Sequence, residues 1–190
     1  GLIKNIESGL GTAVRIRSCL SALEVFMMTT AVPTKKQITA TWNPTKVQQE
    51  TAEAFARNMG LTMTVLAKYP DAMKEFERLN TESKVEKLKA MGVKTPLELV
   101  TALAEIESNM FGSQITVWGD DKQAFMEYQV CGCWNAMQKV GVANATNQEE
   151  LGKGWTECLN RTAKGFGFSK AEVTFGCGEK EACALVTYTR

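Results

Sequence analysis

The side chains best suited to chemistry are the cysteines: Cys19, Cys131, Cys133, Cys158, Cys177 and Cys183, five of them in the last 60 residues. Cys131-Gly132-Cys133 falls at a predicted strand end, where two thiols can project into a cavity. Cys177 and Cys183 flank a predicted hairpin tip, a spacing that puts both thiols at one rung of the hairpin or one rung apart. Thiolates favour zinc, copper(I) or an iron–sulfur cluster. The chain contains no histidine. This excludes a Ser-His-Asp triad, a Cys-His dyad, a haem with a His ligand and every His-containing zinc site within the chain. A soft-metal site would therefore be all sulfur or sulfur plus carboxylate, with Cys131, Cys133, Cys177 and Cys183 as its ligands. The plain alternative is packing, since free cysteine is among the most buried residue types. Cys19, isolated in an apolar periodic stretch, is read as core.

A catalytic thiolate is the other chemistry open to these residues, with Cys158 and Cys133 as its candidates. A nucleophilic cysteine needs a base or a positive field to favour the thiolate. Without histidine the nearby cations are Lys139, Lys153, Arg161 and Lys164, or a helix N-terminus. Cys158 and Arg161 stand three residues apart on one predicted helix, although an arginine so placed is ordinarily solvated. Any general base must be a carboxylate, lysine, tyrosine or thiolate. Asp120-Asp121 reads first as turn chemistry, with metal or base duty as the alternative. Glu157 is either a carboxylate ligand beside Cys158 or part of a solvated face. Trp134, Trp155 and Tyr128 are candidates to line an apolar ligand pocket, and core packing competes for the same residues.

The elements that position these residues are mostly legible from periodicity. Residues 2–28 carry apolar positions at helical spacing, interrupted by Gly9 and Gly11. Asn43-Pro44 marks a helix start, with Val47, Phe55, Met59, Met63 and Leu66 as the expected buried stripe and Pro70 as its end. Residues 71–92 read as one or two charge-rich helices. Thr95-Pro96-Leu97-Glu98 is a capping box that opens a helix closed by Gly112, with Leu99, Leu103, Ile106 and Met110 inward. The period then changes from 3.6 to 2. Ile115 and Val117, a turn at Gly119-Asp120-Asp121, then Ala124, Met126, Tyr128 and Val130 predict a β-hairpin. A short helix over 132–140 and a longer one over 147–164 follow, the latter with Leu151, Trp155, Cys158 and Leu159 inward. A second hairpin closes the chain, with Val173, Phe175 and Cys177 on one strand and Cys183, Leu185 and Thr187 on the other. The fold class is α+β: one domain with a helical N-terminal layer (1–111) packed on a four-stranded antiparallel sheet built as β-β-α-β-β (112–190).

Composition bounds the partners. Lys and Arg number 22 against 21 Asp and Glu among 190 residues, a net charge of +1. Binding driven by phosphate contacts normally shows a basic excess, so no nucleic acid is expected. The longest apolar run falls far short of the ~18 residues of a membrane span, so no membrane partner is expected either. No basic region followed by an apolar core and a cleavage site is visible, which points to a reducing cytoplasm. The first helix has few polar positions for a solitary surface helix, and a homodimer is the expectation.

The run YQVCGCWNAMQKVG over 128–141, the mid-helix Cys158 and the ending VTFGCGEKEACALVTY resemble the L-2-amino-thiazoline-4-carboxylate hydrolase-like family and the related 4-vinyl reductase ligand-binding domain. The resemblance covers residues 112–190. It implies that Cys131 and Cys133 match the family's cysteine after the second strand, Cys158 its helix cysteine and Cys183 its last-hairpin cysteine. It also implies a pocket for a small aromatic near the final hairpin, with zinc held by cysteines and a glutamate; Glu172, Cys177 and Cys183 are the nearest counterparts. Thr174 or Phe175 fills one ligand position of that pattern. Cys158-Leu-Asn-Arg161 departs from the Cys-x-x-Asp of the hydrolase-like proteins. The expected function is a small-molecule-binding or sensing domain with a hydrophobic pocket and a cysteine-rich site holding zinc or an iron–sulfur cluster. The alternatives are a hydrolase of a small sulfur/nitrogen heterocycle, using a cysteine or a metal-bound water, and an interaction module whose cysteines only pack.

Overall fold

A computed structural model describes residue 37, residues 39–176 and residues 183–190. The expected helix over 2–28, Cys19, Cys177 and the turn Gly178-Glu179-Lys180 lie outside the described residues. Contacts divide the chain after Ala40, and the architecture below is that of Thr41–Arg190.

Three helices come first. Helix α1 (Pro44–Leu66) starts where Asn43 Oδ1 accepts from the Lys46 backbone N–H at 2.9 Å, with Pro44 in the first turn. Helix α2 (Pro70–Ala90) is continuous and buries Thr81, Val85 and Leu88. Helix α3 (Pro96–Phe111) opens with the predicted capping box. Thr95 Oγ1 accepts from the Glu98 backbone N–H, and Glu98 Oε2 accepts from the Thr95 N–H. Gly112 ends it in the left-handed conformation at φ 72°.

The buried face of α1 departs from the expected stripe. Val47 and Phe55 are 46% and 43% exposed and Met63 is exposed too, while Ala52 and Ala56 are buried. Those two pack with Ala136 in a small second core, and a Cβ at Gly60 would overlap the Val142 side chain. Ala52, Ala56 and Gly60 recur every four residues. They form a ridge of small side chains that lets a neighbouring element approach closely, so the large apolar residues are carried off to either side.

Strands β1 (Gln114–Gly119) and β2 (Gln123–Val130) form the first hairpin, held at its turn by Asp120, whose Oδ1 accepts from the N–H groups of Lys122 and Gln123. Helices α4 (Gly132–Lys139) and α5 (Gln148–Gly165) follow, two helices where the β-β-α-β-β shorthand has one. Strands β3 (Lys170–Phe175) and β4 (Ala184–Thr189) complete an antiparallel sheet of order β1-β2-β4-β3. The fold is α+β, helices packed on a four-stranded antiparallel sheet. Among the described residues no helix is long and apolar enough to cross a membrane.

The two hairpins join through β2 and β4. Ala124, Met126 and Tyr128 stand opposite Tyr188, Val186 and Ala184, and all six are buried. Leu185 and Thr187, singled out on this strand from the sequence, fall on its other face. Side chains paired across a ladder share a face, so the buried face of β2 dictates that of β4.

Candidate thiol and carboxylate site

The Cys131-Gly132-Cys133 segment turns the chain from β2 into α4. Cys131 is the N-cap of α4, its Sγ accepting from the Trp134 backbone N–H at 3.4 Å, where a serine or asparagine oxygen is more usual. Gly132 lies against the end of α3, and a Cβ there would overlap the Phe111 carbonyl oxygen. Its N–H donates to Ser113 Oγ at 3.0 Å, and the Ser113 hydroxyl lies 3.5 Å from Glu107 Oε2. The glycine between the two cysteines is thus the residue that packing requires.

These groups share one electrostatic neighbourhood. Burial pushes the Cys131 thiol up to about 11, and the Glu107 and Cys183 charges add to the rise. Burial likewise pushes Cys133 up to about 12, with Glu107 and Cys131 adding to it. Glu107 is itself raised by burial, against the pull of Lys84 and Ser113. Tyr128 is held well above its ordinary value by burial, then by the Glu107 and Cys131 charges. At pH 7 a thiol at about 12 is ionised to only about one part in 10⁵. Burial beside Glu107 thus works against the thiolate at Cys133, the form a nucleophile needs.

Cys183, exposed just before β4, donates its backbone N–H to the Tyr128 carbonyl at 2.9 Å. Its charge reaches Cys131, so Cys131, Cys133 and Cys183 belong to one corner of the protein. Cys177, the fourth expected metal ligand, lies outside the described residues. Among the described residues no three Cys, Asp or Glu side chains come together closely enough to hold a metal. The donor chemistry suits a soft ion, and Cys131 Sγ is also engaged by the first turn of its own helix.

Cys158 on α5 has a different neighbour. Lys84 Nζ on α2 donates to Cys158 Sγ at 3.4 Å. The expected cation, Arg161, is instead paired with Glu77 at 3.3 Å and Glu157 at 3.8 Å. Three residues along a helix places Arg161 near Cys158 without aiming it there, whereas Lys84 meets the sulfur across the α2–α5 packing. Lys84 also pulls on Glu107, so its ammonium is within electrostatic reach of both the thiol and the carboxylate. Tyr188, 0% exposed, is raised by burial and by the charge of Cys158, and its hydroxyl has no partner among the described residues. Neither Lys84 nor Tyr188 carried a local signal in the sequence.

Of the candidate pocket aromatics, Tyr128 and Trp155 meet edge to face at 5.6 Å, and Trp155 continues to Phe175 at 5.9 Å. Tyr128 is buried in the main core and Trp155 packs against it. Trp134 is half-buried on α4, outside these ring contacts. A groove of about 370 Å³ lies between α1 and the end of α3, lined by Trp42, Val47, Asn109 and Met110 among others. A larger charged groove of about 690 Å³ runs between α2 and α5 past Arg78, Lys89, Arg161 and Lys164.

No protein-family model matches this chain, and comparison with curated proteins gives no match. Fold and side-chain geometry alone define its class: an α+β protein with a thiol–carboxylate corner beside a lysine-contacted cysteine.

Proposed function

We propose that the protein is a small-molecule-binding or sensing domain, with Glu107, Cys131 and Cys133 as the polar end of its ligand site. One observation carries this reading: the contacts from Gly132 N–H to Ser113 Oγ (3.0 Å) and from Ser113 Oγ to Glu107 Oε2 (3.5 Å) gather two half-buried thiols and a carboxylate at one corner, where burial disfavours their charged forms. Neutral, half-buried donors recognise a ligand, whereas a nucleophile must be ionised. The resemblance to the 4-vinyl reductase-type domain supports the same reading and adds a small aromatic as the ligand class.

The test is a thermal-shift screen of small aromatic and sulfur-containing rings (phenol, indole, thiazole), coupled to alkylation of each cysteine. A binder is expected to raise Tm and to protect Cys131 and Cys133 together, and Glu107→Gln to abolish the shift. A set of rings that neither shifts Tm nor protects those thiols counts against the reading.

A second reading, hydrolysis of a small sulfur/nitrogen heterocycle, is favoured by the Lys84 ammonium against Cys158. It predicts turnover of a thiazoline ring that disappears in Cys158→Ala and survives in Cys133→Ala.

A further inference from the structure

The contact between Lys84 and Cys158 joins an amine to a sulfur across two helices. Nζ and Sγ are 3.4 Å apart, both residues are partly exposed, and the two lie 74 positions apart in sequence. Nothing in the binding role proposed for the Glu107 corner uses this pair. Beside it, the buried Tyr188 hydroxyl has no partner among the described residues and feels the charge of Cys158.

The geometry points to Lys84 and Cys158 as an oxidant-modified pair, in which hydrogen peroxide drives formation of a reversible covalent sulfur–nitrogen link between α2 and α5. In the first step the Cys158 sulfur attacks one peroxide oxygen. The S–O bond forms, the O–O bond breaks, and the departing hydroxide takes the thiol proton as water. Sulfur loses two electrons and the peroxide gains them, leaving a sulfenic acid. In the second step Lys84, having given one proton to solvent, uses its nitrogen lone pair to attack that sulfur. The S–N bond forms, the S–O bond breaks, and the hydroxyl leaves with an amine proton as a second water. The net change is thiol plus amine plus hydrogen peroxide giving a sulfenamide and two waters.

Proximity decides the fate of the sulfenic acid. An amine already in hydrogen-bond contact competes as an intramolecular partner, with an effective concentration far above that of any thiol in solution. Reversal needs two equivalents of an external thiol. The first attacks sulfur, releasing Lys84 as the amine and forming a mixed disulfide; the second frees Cys158 and leaves as the external disulfide. Burial disfavours the thiolate at Cys131 and Cys133, which works against their reaction with peroxide. The inference holds whether or not the Glu107 corner binds a ligand.

The test treats the full chain with equimolar hydrogen peroxide and maps non-reduced tryptic peptides by mass spectrometry. The expected product is a Lys84 peptide joined to a Cys158 peptide, lighter than their sum by two hydrogen atoms, uncut at Lys84 and separated by dithiothreitol. In Lys84→Arg the link is expected to be absent and dimedone trapping of Cys158 sulfenic acid to rise several-fold. Wild-type mapping needs no variant, so misfolding of Lys84→Arg leaves the test intact. Cys158 recovered only as sulfinic acid or as an intermolecular disulfide would overturn the inference. A link that retains oxygen between nitrogen and sulfur would overturn the condensation step.

Discussion

If burial beside Glu107 holds Cys131 and Cys133 protonated, their alkylation must be slow, and slow in a way that pH reveals. An ordinary thiol at 9.0 is about one-tenth ionised at pH 8, whereas thiols at about 11 and about 12 are ionised to about one part in 10³ and 10⁴. On thiolate fraction alone, Cys131 should react about a hundredfold and Cys133 about a thousandfold more slowly than in the unfolded chain. The assay is pulse labelling with iodoacetamide between pH 7 and 10.5, each cysteine quantified by mass spectrometry against the same chain in denaturant. Steric shielding also slows alkylation, but it scales the rate without moving the inflection. The discriminating feature is therefore the profile: log rate for Cys133 should keep climbing past pH 10 while the denatured control levels off near pH 9. Burial is the larger cause, so Glu107→Gln should relieve only part of the effect, less than tenfold. A native Cys133 that levels off near pH 9, or that reacts within tenfold of the denatured rate at pH 8, refutes the reasoning.

Three further outcomes follow from the same contacts. Gly132→Ala forces a Cβ into the Phe111 carbonyl and should cost on the order of 3 kcal/mol in chemical denaturation, so a loss below about 1 kcal/mol contradicts the packing described. Tyr188→Phe removes a buried hydroxyl without a partner among the described residues and should leave Tm unchanged or raise it; a loss above about 1 kcal/mol would show that the hydroxyl is satisfied. Glu107 is raised on folding, so its contribution to stability is fully present below its unfolded value of 4.5 and is lost as pH rises through its folded value. Glu107→Gln should therefore match wild type at low pH and exceed it increasingly above pH 4.5, and urea midpoints that run parallel from pH 4 to 8 would contradict this.

What the sequence disclosed was local, and what it hid was paired across distance. The start and end of α3 were legible because a capping box and a left-handed glycine each act within four residues. The Asp120 turn was legible because the carboxylate bonds to backbone N–H groups two and three residues on. The buried face of α1 was not. Counting large apolar residues selects Val47 and Phe55, but a close approach selects Ala52, Ala56 and Gly60, which hydropathy barely marks. The phase of β4 was not legible either, because Leu185 and Val186 are equally apolar and only the pairing with β2 chooses between them. Within the candidate site, Cys-Gly-Cys drew notice for its sulfur. Nothing in those three letters shows that Phe111, 21 residues earlier, requires the glycine.

The same physics separates the two thiol neighbourhoods and decides which chemistry each can support. Cys131 and Cys133 share burial with a carboxylate, and both influences oppose a second negative charge. Cys158 is half-buried as they are, yet its sulfur faces an ammonium. Similar burial with opposite neighbours thus yields one pair of cysteines kept as neutral donors and one cysteine placed against a positive charge. Lys84 links the two, because its ammonium contacts Cys158 and also draws Glu107 toward its charged form. Losing that positive charge, by substitution or by bonding to sulfur, leaves the Ser113 hydrogen bond as the remaining pull toward a Glu107 carboxylate. Burial, the larger influence, then weighs further toward the neutral acid. Covalent change at Cys158 would in this way reach the proposed ligand corner through charge.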